Sequence, residues 1–558
     1  MSRMPAEQIF TGQIASPGLA LGPIDLHALN IDSPGNLENP GNLAKPGAAG
    51  TPEQERGALQ DAVDAARAQL IGLAEKGDAM AGDILALQIA LLEDPELTAP
   101  AIEAIEGGEP AAAAWRGALD AQIEIYGSDD AEYFRARAAD LMDLRDRVAG
   151  LICGEGPGSK IEASDAIYVA RDLAPSRFLE TDWSRYRGVA LMGGSASSHV
   201  AILARARGVP LLIGVGGAAE EALRDGAEAI LDAEDGRLIV DPAASTVARY
   251  RDRLARRREA AERDAAFLDG PAVTAGGAHI QVCINVDDPD ILDGVKPDHC
   301  DGIGLTRSEF LFYRGGGLPD EDRQYDAYAR LIDWAGGKPV TIRTLDAGGD
   351  KPIPGLTPEG EANPFLGVRG LRLSLARPEI FGVQLRALAR AAARGALKVM
   401  FPMVTVPAEM DEARALFEKA AADLARAGIE ARTPPLGMMV EVPAAALDVA
   451  HFKADFFSIG SNDLVQYVTA TSRDNAAVAA LHDGLNPAVL ELIGRVAAHG
   501  ARAGCEVSLC GDMAGEPASL ARLLDVGLRA VSVAPAALAR TKAAIARSSA
   551  AGESSDGG

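Results

Sequence analysis

Between residues 279 and 535 the chain returns eight times to a short apolar run: HIQVCIN (279–285), CDGIGLT (300–306), PVTIRTLD (339–346), LKVMFPMV (397–404), LGMMVEV (436–442), DFFSIGSND (455–463), EVSLCGD (506–512) and AVSVAP (530–535). Helical segments separate the runs. Eight strand–helix repeats over roughly 250 residues are what a (β/α)8 TIM barrel requires. Most runs also close on a residue with useful chemistry: Asn285, Arg307, Arg343 with Asp346, Glu441, Asn462 with Asp463, and Cys510. Strand C-terminal ends face the active site in such barrels. Turn chemistry would explain one or two of these residues, but not a ring of them.

The ring narrows the ligand. Glu441 and Asp463 close the fifth and sixth strands, so two carboxylates would converge with room for water and ligand oxygens, a set that suits Mg2+. Arg307, Arg343, Arg369 and Arg473 stand around them, and planar guanidinium forks match phosphate and carboxylate oxygens two at a time. Together they imply a small, highly anionic substrate. Cys510 closes the seventh strand ahead of Gly511 and Asp512. A neutral thiol there would be placed to give a proton to carbon, the alternative being a buried inert thiol.

Upstream, GGSASSHVAILARARGVP (193–210) sets His199 between a small-residue turn and the first turn of an apolar-periodic helix. Ser197 and Ser198 are placed to cap that helix, and Gly193 and Gly194 allow close approach. The free N–H groups of residues 200–203 and the positive end of the helix dipole favour an anion beside the ring. This suits a phosphorylated imidazole; the alternative is a capped helix with a histidine near its start. Residues 10–26 read as broken strands, and the following stretch repeats PGNL at 34 and 40, a loop. From 51 to 150 the pattern is helical, and from 160 to 242 short strands and helices alternate again, so the helical block is an insertion in an α/β domain. A highly charged helical connector runs over 245–270, and the polar tail is expected to be disordered.

Composition sets outer bounds. With 558 residues and 48% hydrophobic content the chain has ample core for several domains. Lys plus Arg number 54 against 80 Asp plus Glu, a formal net charge of -26. That balance disfavours nucleic acid and favours basic protein partners. The five cysteines are scattered without CxxC spacing, which points to neither a disulfide framework nor a zinc site. No leader-like start and no membrane-spanning run is apparent, so a cytoplasmic protein without membrane insertion is expected.

Read in order, GQIASPGLALG (12–22), ALLEDPEL (90–97), SHVAILAR (198–205), GIGLTRSEFLF (302–312), TIRTLDAGGDK (341–351), NPFLGVRGLRL (363–373), GMMVEVP (437–443), FFSIGSNDLVQY (456–467) and CGDMAG (510–515) resemble Enzyme I of the phosphoenolpyruvate-dependent sugar phosphotransferase system. The resemblance runs from about residue 12 to 545. It implies phosphoenolpyruvate at the barrel, Mg2+ on Glu441 and Asp463, a clamp of Arg307, Arg343, Arg369, Asn462 and Arg473, and Cys510 as the acid that protonates the enolate carbon. The phosphoryl group would pass to His199 Nε2, and a swivelling α/β domain would carry it to the histidine of the carrier HPr, docked on the helical insertion. The barrel would form a homodimer. The domains implied are 1–50, the start of the phosphohistidine domain with an inserted loop; 51–150, the HPr-binding helical subdomain; 151–244, the phosphohistidine α/β domain; 245–270, the linker helix; 271–545, the barrel; and 546–558, the tail. Three departures stand out: GSASSH (194–199) with Ser195 in place of glycine and Ser197 in place of threonine, Ala174 in DLAPS where a threonine is usual, and Asp512 where glutamate is usual. The alternative within the family is the nitrogen-branch paralogue acting on an HPr-like carrier, although no sensory domain is read ahead of Gly12. A dikinase would need an ATP-binding domain that the helical insertion does not provide, and a non-catalytic sensor would not need Glu441, Asp463, Cys510 and His199 together.

Overall fold

A computed structural model describes residues 7–26, 50–76, 79–127, 132–154, 165–194, 199–216, 222–313, 318–349, 355–358, 360–472 and 478–549, with 219 and 353. The PGNL repeats, Ser195, Ser197, Ser198, Arg473 and residues 550–558 lie outside them. The chain divides into two compact units, Met1–Arg257 and Arg258–Gly558.

In the first unit, β1 (Gln8–Thr11), β2 (Gln13–Ser16), β3 (Leu19–Asp25), β4 (Ala166–Ala170), β5 (Tyr186–Leu191), β6 (Leu211–Ile213), β7 (Glu228–Asp232) and β8 (Arg237–Val240) form one sheet in the order β1-β8-β7-β3-β4-β5-β6-β2. Neighbours among β3 to β6 pair parallel, and the remaining pairs are antiparallel. Every residue of β4 is buried, as expected for a strand covered on both faces.

Among the described residues, five helices lie between β3 and β4 in sequence: α1 (Pro52–Lys76), α2 (Ala79–Glu93), α3 (Pro95–Glu106), α4 (Ala111–Gly127) and α5 (Glu132–Ile152). The EDPEL sequence makes the break between α2 and α3. The Asp94 carboxylate accepts the Glu96 N–H at 2.9 Å and Pro95 takes the first helical position, where no N–H is needed. Trp115 fills the centre of this bundle, fully buried, and its indole N–H donates to the Arg145 carbonyl at 3.1 Å. A buried polar seam ties the bundle to α6 (Pro175–Glu180): Gln88 Nε2 and Ser176 Oγ donate to opposite oxygens of Asp143 at 2.9 and 2.8 Å. Burial pushes the Asp143 carboxyl above its ordinary value.

The helix α7 (His199–Arg207) connects β5 to β6. The charged connector is the helix α8 (Ala244–Ala265), and its first half is docked rather than solvated: Tyr250 is buried, and its hydroxyl and Arg253 Nη1 each donate to Asp232 Oδ2 at 2.8 Å.

In the second unit all eight apolar runs are strands: β10 (His279–Val286), β11 (Ile303–Arg307), β12 (Val340–Arg343), β13 (Leu397–Phe401), β14 (Leu436–Val440), β15 (Phe456–Gly460), β16 (Glu506–Cys510) and β17 (Ala530–Val533), preceded by the short β9 (Ala272–Val273). Each pairs parallel with the next, and β17 returns to pair parallel with β10, which closes the TIM barrel. Outer helices obey ordinary end rules. The helix Glu321–Ala335 starts on Asp320, which accepts the Arg323 N–H at 2.8 Å, and ends on Gly336 at φ +58°, a left-handed stop that glycine adopts without penalty. Leu305, Met400, Met439, Phe456 and Cys510 form a small apolar cluster apart from the large core shared by strands and outer helices. Among the described residues no helix is long and apolar enough to cross a membrane.

Candidate active site

Buried charge is concentrated at the C-terminal ends of the barrel strands. Arg343, the last residue of β12, and Arg369, just ahead of the helix Leu371–Ala376, are 4% and 1% exposed. Asp346 Oδ2 lies 3.0 Å from Arg343 Nη1 and 3.0 Å from Arg369 Nη2, bridging the two. Glu309 Oε1 accepts from Arg343 Nη2 at 3.0 Å and from the Asp346 N–H at 2.8 Å. Arg369 also donates to both oxygens of Asp463, at 3.1 and 3.3 Å. Glu441 follows β14 directly, is buried, and accepts the Met403 N–H at 2.7 Å.

Backbone conformation supports this arrangement. Met403 sits at φ +58°, a region that costs a side-chain-bearing residue energy and persists only when its surroundings enforce it. Gly370, at φ +57°, packs so tightly that a Cβ there would stand 2.9 Å from Met403 Cβ.

Four buried carboxylates thus face two buried guanidinium groups. Burial alone would discourage ionisation of the arginines, but Glu309, Asp346, Glu441 and Asp463 outweigh it for Arg343, and Asp346, Asp463 and Glu441 do so for Arg369. Glu441 takes the opposite consequence. Burial, then the charges of Asp463 and Asp346, push its carboxyl up to about 8. Buried ions stabilise a fold poorly, so this concentration speaks for a ligand. The excess of hard, crowded oxygens fits Mg2+, which takes one or two carboxylates and completes its shell with water and substrate oxygens. Glu441 and Asp463 could hold it; among the described residues no group of three or more His, Cys, Asp or Glu forms an all-protein cage.

Cys510 ends β16 and is buried, with Sγ 3.3 Å from Ser458 Oγ. Burial pushes the thiol above its ordinary value, which keeps the proton on sulfur at neutral pH. Asn462 and Asp512 face each other across the ends of β15 and β16: Asn462 Nδ2 donates to Asp512 Oδ2 at 3.2 Å, and the Asp512 N–H donates to Asn462 Oδ1 at 3.1 Å. Arg307 ends β11 at the rim, about a third exposed, where it pairs with Asp287 at 3.1 Å.

Several sequence expectations need correction. Asp463 does not close a strand; it sits in the first turn of the helix Ser461–Thr469, because β15 stops at Gly460. Arg343 and Arg369 are not open forks, since carboxylates of the same chain occupy them. Glu309 is a site residue that the sequence pattern does not single out. Its only signal is an acidic residue two positions beyond Arg307, in the first turn after a strand end.

In the first unit, His199 is the first residue of α7. β5 is followed by Gly193, whose N–H donates to the Arg171 carbonyl at 2.9 Å, and by Gly194 at φ +92°. Ala174 stands at the N-cap of α6 and provides no side-chain cap, the cost of the missing hydroxyl. Asp172 is lifted above its ordinary value by burial, against the Leu173 N–H that it accepts at 2.8 Å.

A TIM barrel whose strand ends unite buried arginines, crowded carboxylates and a protonated thiol defines an enzyme for a small polyanion. Comparison with known proteins gives that class its family. Profiles of the PEP-utilising enzymes match throughout: the N-terminal domain over residues 11–137, the mobile domain over 162–236 and the PEP-binding domain over 261–550. A phosphoenolpyruvate-protein phosphotransferase of Geobacillus stearothermophilus is 37% identical over 501 residues, covering 87% of this chain and 86% of its own. One of Bacillus subtilis is 38% identical over 468 residues, covering 81% of each chain. A multiphosphoryl transfer protein of Xanthomonas campestris is 37% identical over 496 residues, covering 87% of this chain and 58% of its own. The chain belongs to the phosphoenolpyruvate-protein phosphotransferase family, a family of transferases.

Proposed function

We propose that the chain transfers the phosphoryl group of phosphoenolpyruvate to His199 Nε2 and from there to the histidine of an HPr-type carrier, releasing pyruvate. The observation that carries this reading is the convergence of Arg343, Arg369, Glu441, Asp463 and the protonated Cys510 at one barrel mouth. Arg307, Arg343, Arg369, Asn462 and Arg473 take the phosphate and carboxylate of the substrate, fixing its orientation. Glu441 and Asp463 hold Mg2+, which when bound offsets the charge of the phosphate oxygens. As the P–O bond breaks and the bond from His199 Nε2 to phosphorus forms, the enolate carbon takes the proton of Cys510 Sγ, giving pyruvate; water returns a proton to the thiolate. The first turn of α7 offers N–H groups to the phosphorylated ring.

The helical insertion, 51–150, docks the carrier, and the α/β domain, 151–244 with the N-terminal strands, swings between barrel and carrier on the linker 245–270. The barrel, 271–545, makes a homodimer, and the enzyme works in the cytoplasm at the entry of the sugar phosphotransferase system. The test is pyruvate release from purified protein with phosphoenolpyruvate and Mg2+. Without carrier, one pyruvate per chain should appear in a burst and then stop; adding carrier should make release continuous. Continuous release without carrier would refute the phosphohistidine route.

A further inference from the structure

Two buried atoms at the barrel mouth are left over in a way that matches. Glu309 holds Arg343 through a single oxygen, Oε1, while Oε2 is buried and accepts from no group among the described residues. Arg343 reaches Glu309 through Nη2 alone, while its Nε is buried and donates to no group among the described residues. Nε and Nη2 lie along one edge of the guanidinium plane, and that edge meets both oxygens of a carboxylate when the pair is side-on. The same ion pair therefore contains an unused donor and the unused acceptor that would satisfy it. Both side chains are 5% exposed. What holds the fork away from side-on geometry is the far end: Arg343 Nη1 is drawn to Asp346 Oδ2 at 3.0 Å, a position that Arg369 also occupies from the other side.

We infer that Glu309 is a positioning residue with two settings: end-on to Arg343 in the free enzyme, and side-on once a substrate anion draws Nη1 away from Asp346. This rests on the reading of Arg343 as a substrate-binding group. A small rotation of the guanidinium about its own plane pairs Nε with Oε2, keeps Nη2 on Oε1, and turns Nη1 toward the ligand. The leftover polar atoms are then the stored half of a bidentate pair that forms only in the loaded site. Such orientation raises turnover more than ground-state affinity.

A double-mutant cycle tests it, with kcat and KM for phosphoenolpyruvate read separately. Glu309→Gln keeps the shape and still accepts the Asp346 N–H, but its amide NH2 opposes the Nε–H of Arg343. The expected result is a kcat lower by about 10- to 100-fold with KM unchanged or lower, since a negative charge has left the site. Arg343→Lys lacks the edge that side-on pairing needs. In that background Glu309→Gln should cost at most about 2-fold more, because interacting residues are non-additive. Multiplying losses, or a loss confined to KM, would overturn the two-setting pair while leaving Arg343 as a ligand. An Arg343→Lys enzyme with unchanged kcat/KM would overturn the underlying reading instead. If Glu309→Gln fails to fold, the unaltered protein labelled with 15N at arginine Nε decides. Adding Mg2+ and phosphonopyruvate, whose P–C bond cannot be transferred, should protect the Arg343 Nε–H from exchange, and an unaltered exchange rate would overturn the proposal.

Discussion

Gly460 offers a direct probe of how closely Glu441 must be held. It ends β15 at φ -83°, a conformation open to alanine, so backbone strain is small. Space is the obstacle: an added Cβ would lie 2.6 Å from Glu441 Oε2, 3.0 Å from Glu441 Cβ and 3.0 Å from Met439 Cγ. Ordinary contact begins near 3.4 Å, so the carboxylate must retreat by about 0.8 Å. It has little room, because the other oxygen is fixed by the Met403 N–H at 2.7 Å and the residue is buried. Overpacking of this kind costs about 1–3 kcal/mol, and losing a hydrogen bond to an uncharged carboxyl about 0.5–1.5 kcal/mol. The protein can escape one of these by accepting the other, so Gly460→Ala should lower stability by about 0.5–3 kcal/mol. Activity should suffer more. A misplacement near 1 Å can cost about 100-fold, and a retreating carboxylate should also raise the Mg2+ concentration for half-maximal rate. The assay is pyruvate formation over a Mg2+ series, beside thermal unfolding. Gly382→Ala is the control: its Cβ meets nothing, it lies inside the helix Pro378–Ala392, and it should gain about 0.5–1 kcal/mol with no change in rate. Gly460→Ala with kcat/KM within 2-fold of the parent and an unshifted Mg2+ response would refute the reasoning.

Further outcomes follow from the same geometry. Burial, with Asp463 and Asp346 nearby, lifts Glu441 from 4.5 to about 8, so the folded state binds the extra proton between those values. The stability that protonated Glu441 contributes is full below about pH 4.5 and lost as pH rises to about 8. Thermal unfolding of metal-free protein should therefore decline across that window, and an equally steep decline in Glu441→Gln would contradict the assignment. Cys510→Ala should bind phosphonopyruvate with little change, as calorimetry can check, but lose pyruvate formation by about 10²–10⁴-fold; a loss of only a few-fold would make the thiol structural. Asp463→Asn should abolish phosphorylation by phosphoenolpyruvate yet spare phosphoryl exchange between phospho-carrier and His199, and equal loss of both reactions would count against a metal role.

The sequence reveals the barrel because each strand is covered on both faces and must be apolar almost throughout, as LGMMV and FFSIG are. Length and spacing then leave one closed arrangement. Glu441 and Cys510 are legible for a related reason, as polar residues abutting such runs. Asp463 is less so, since nothing in IGSND says that the strand ends at Gly460 and that a helix takes over one residue later. Glu309 and Asp346 show the real boundary. Glu309 pairs with Arg343 at the end of β12, 34 residues on, and Asp346 pairs with Arg369, 23 residues on, and these two pairings depend on barrel closure rather than local spacing. The charged pattern at 245–270 hides its contacts likewise. Tyr250 and Arg253 dock onto Asp232, which lies 18 residues upstream of Tyr250.

The most direct measurement is a labelling experiment. Protein incubated with 32P-phosphoenolpyruvate and Mg2+ is digested under alkaline conditions, and the label is mapped and tested for acid lability. A single acid-labile phosphate on His199, absent in a folded His199→Ala variant and discharged on adding an HPr-type carrier, is the expected result. Label at full level in His199→Ala, or an acid-stable label on another residue, would contradict a transfer that runs through His199.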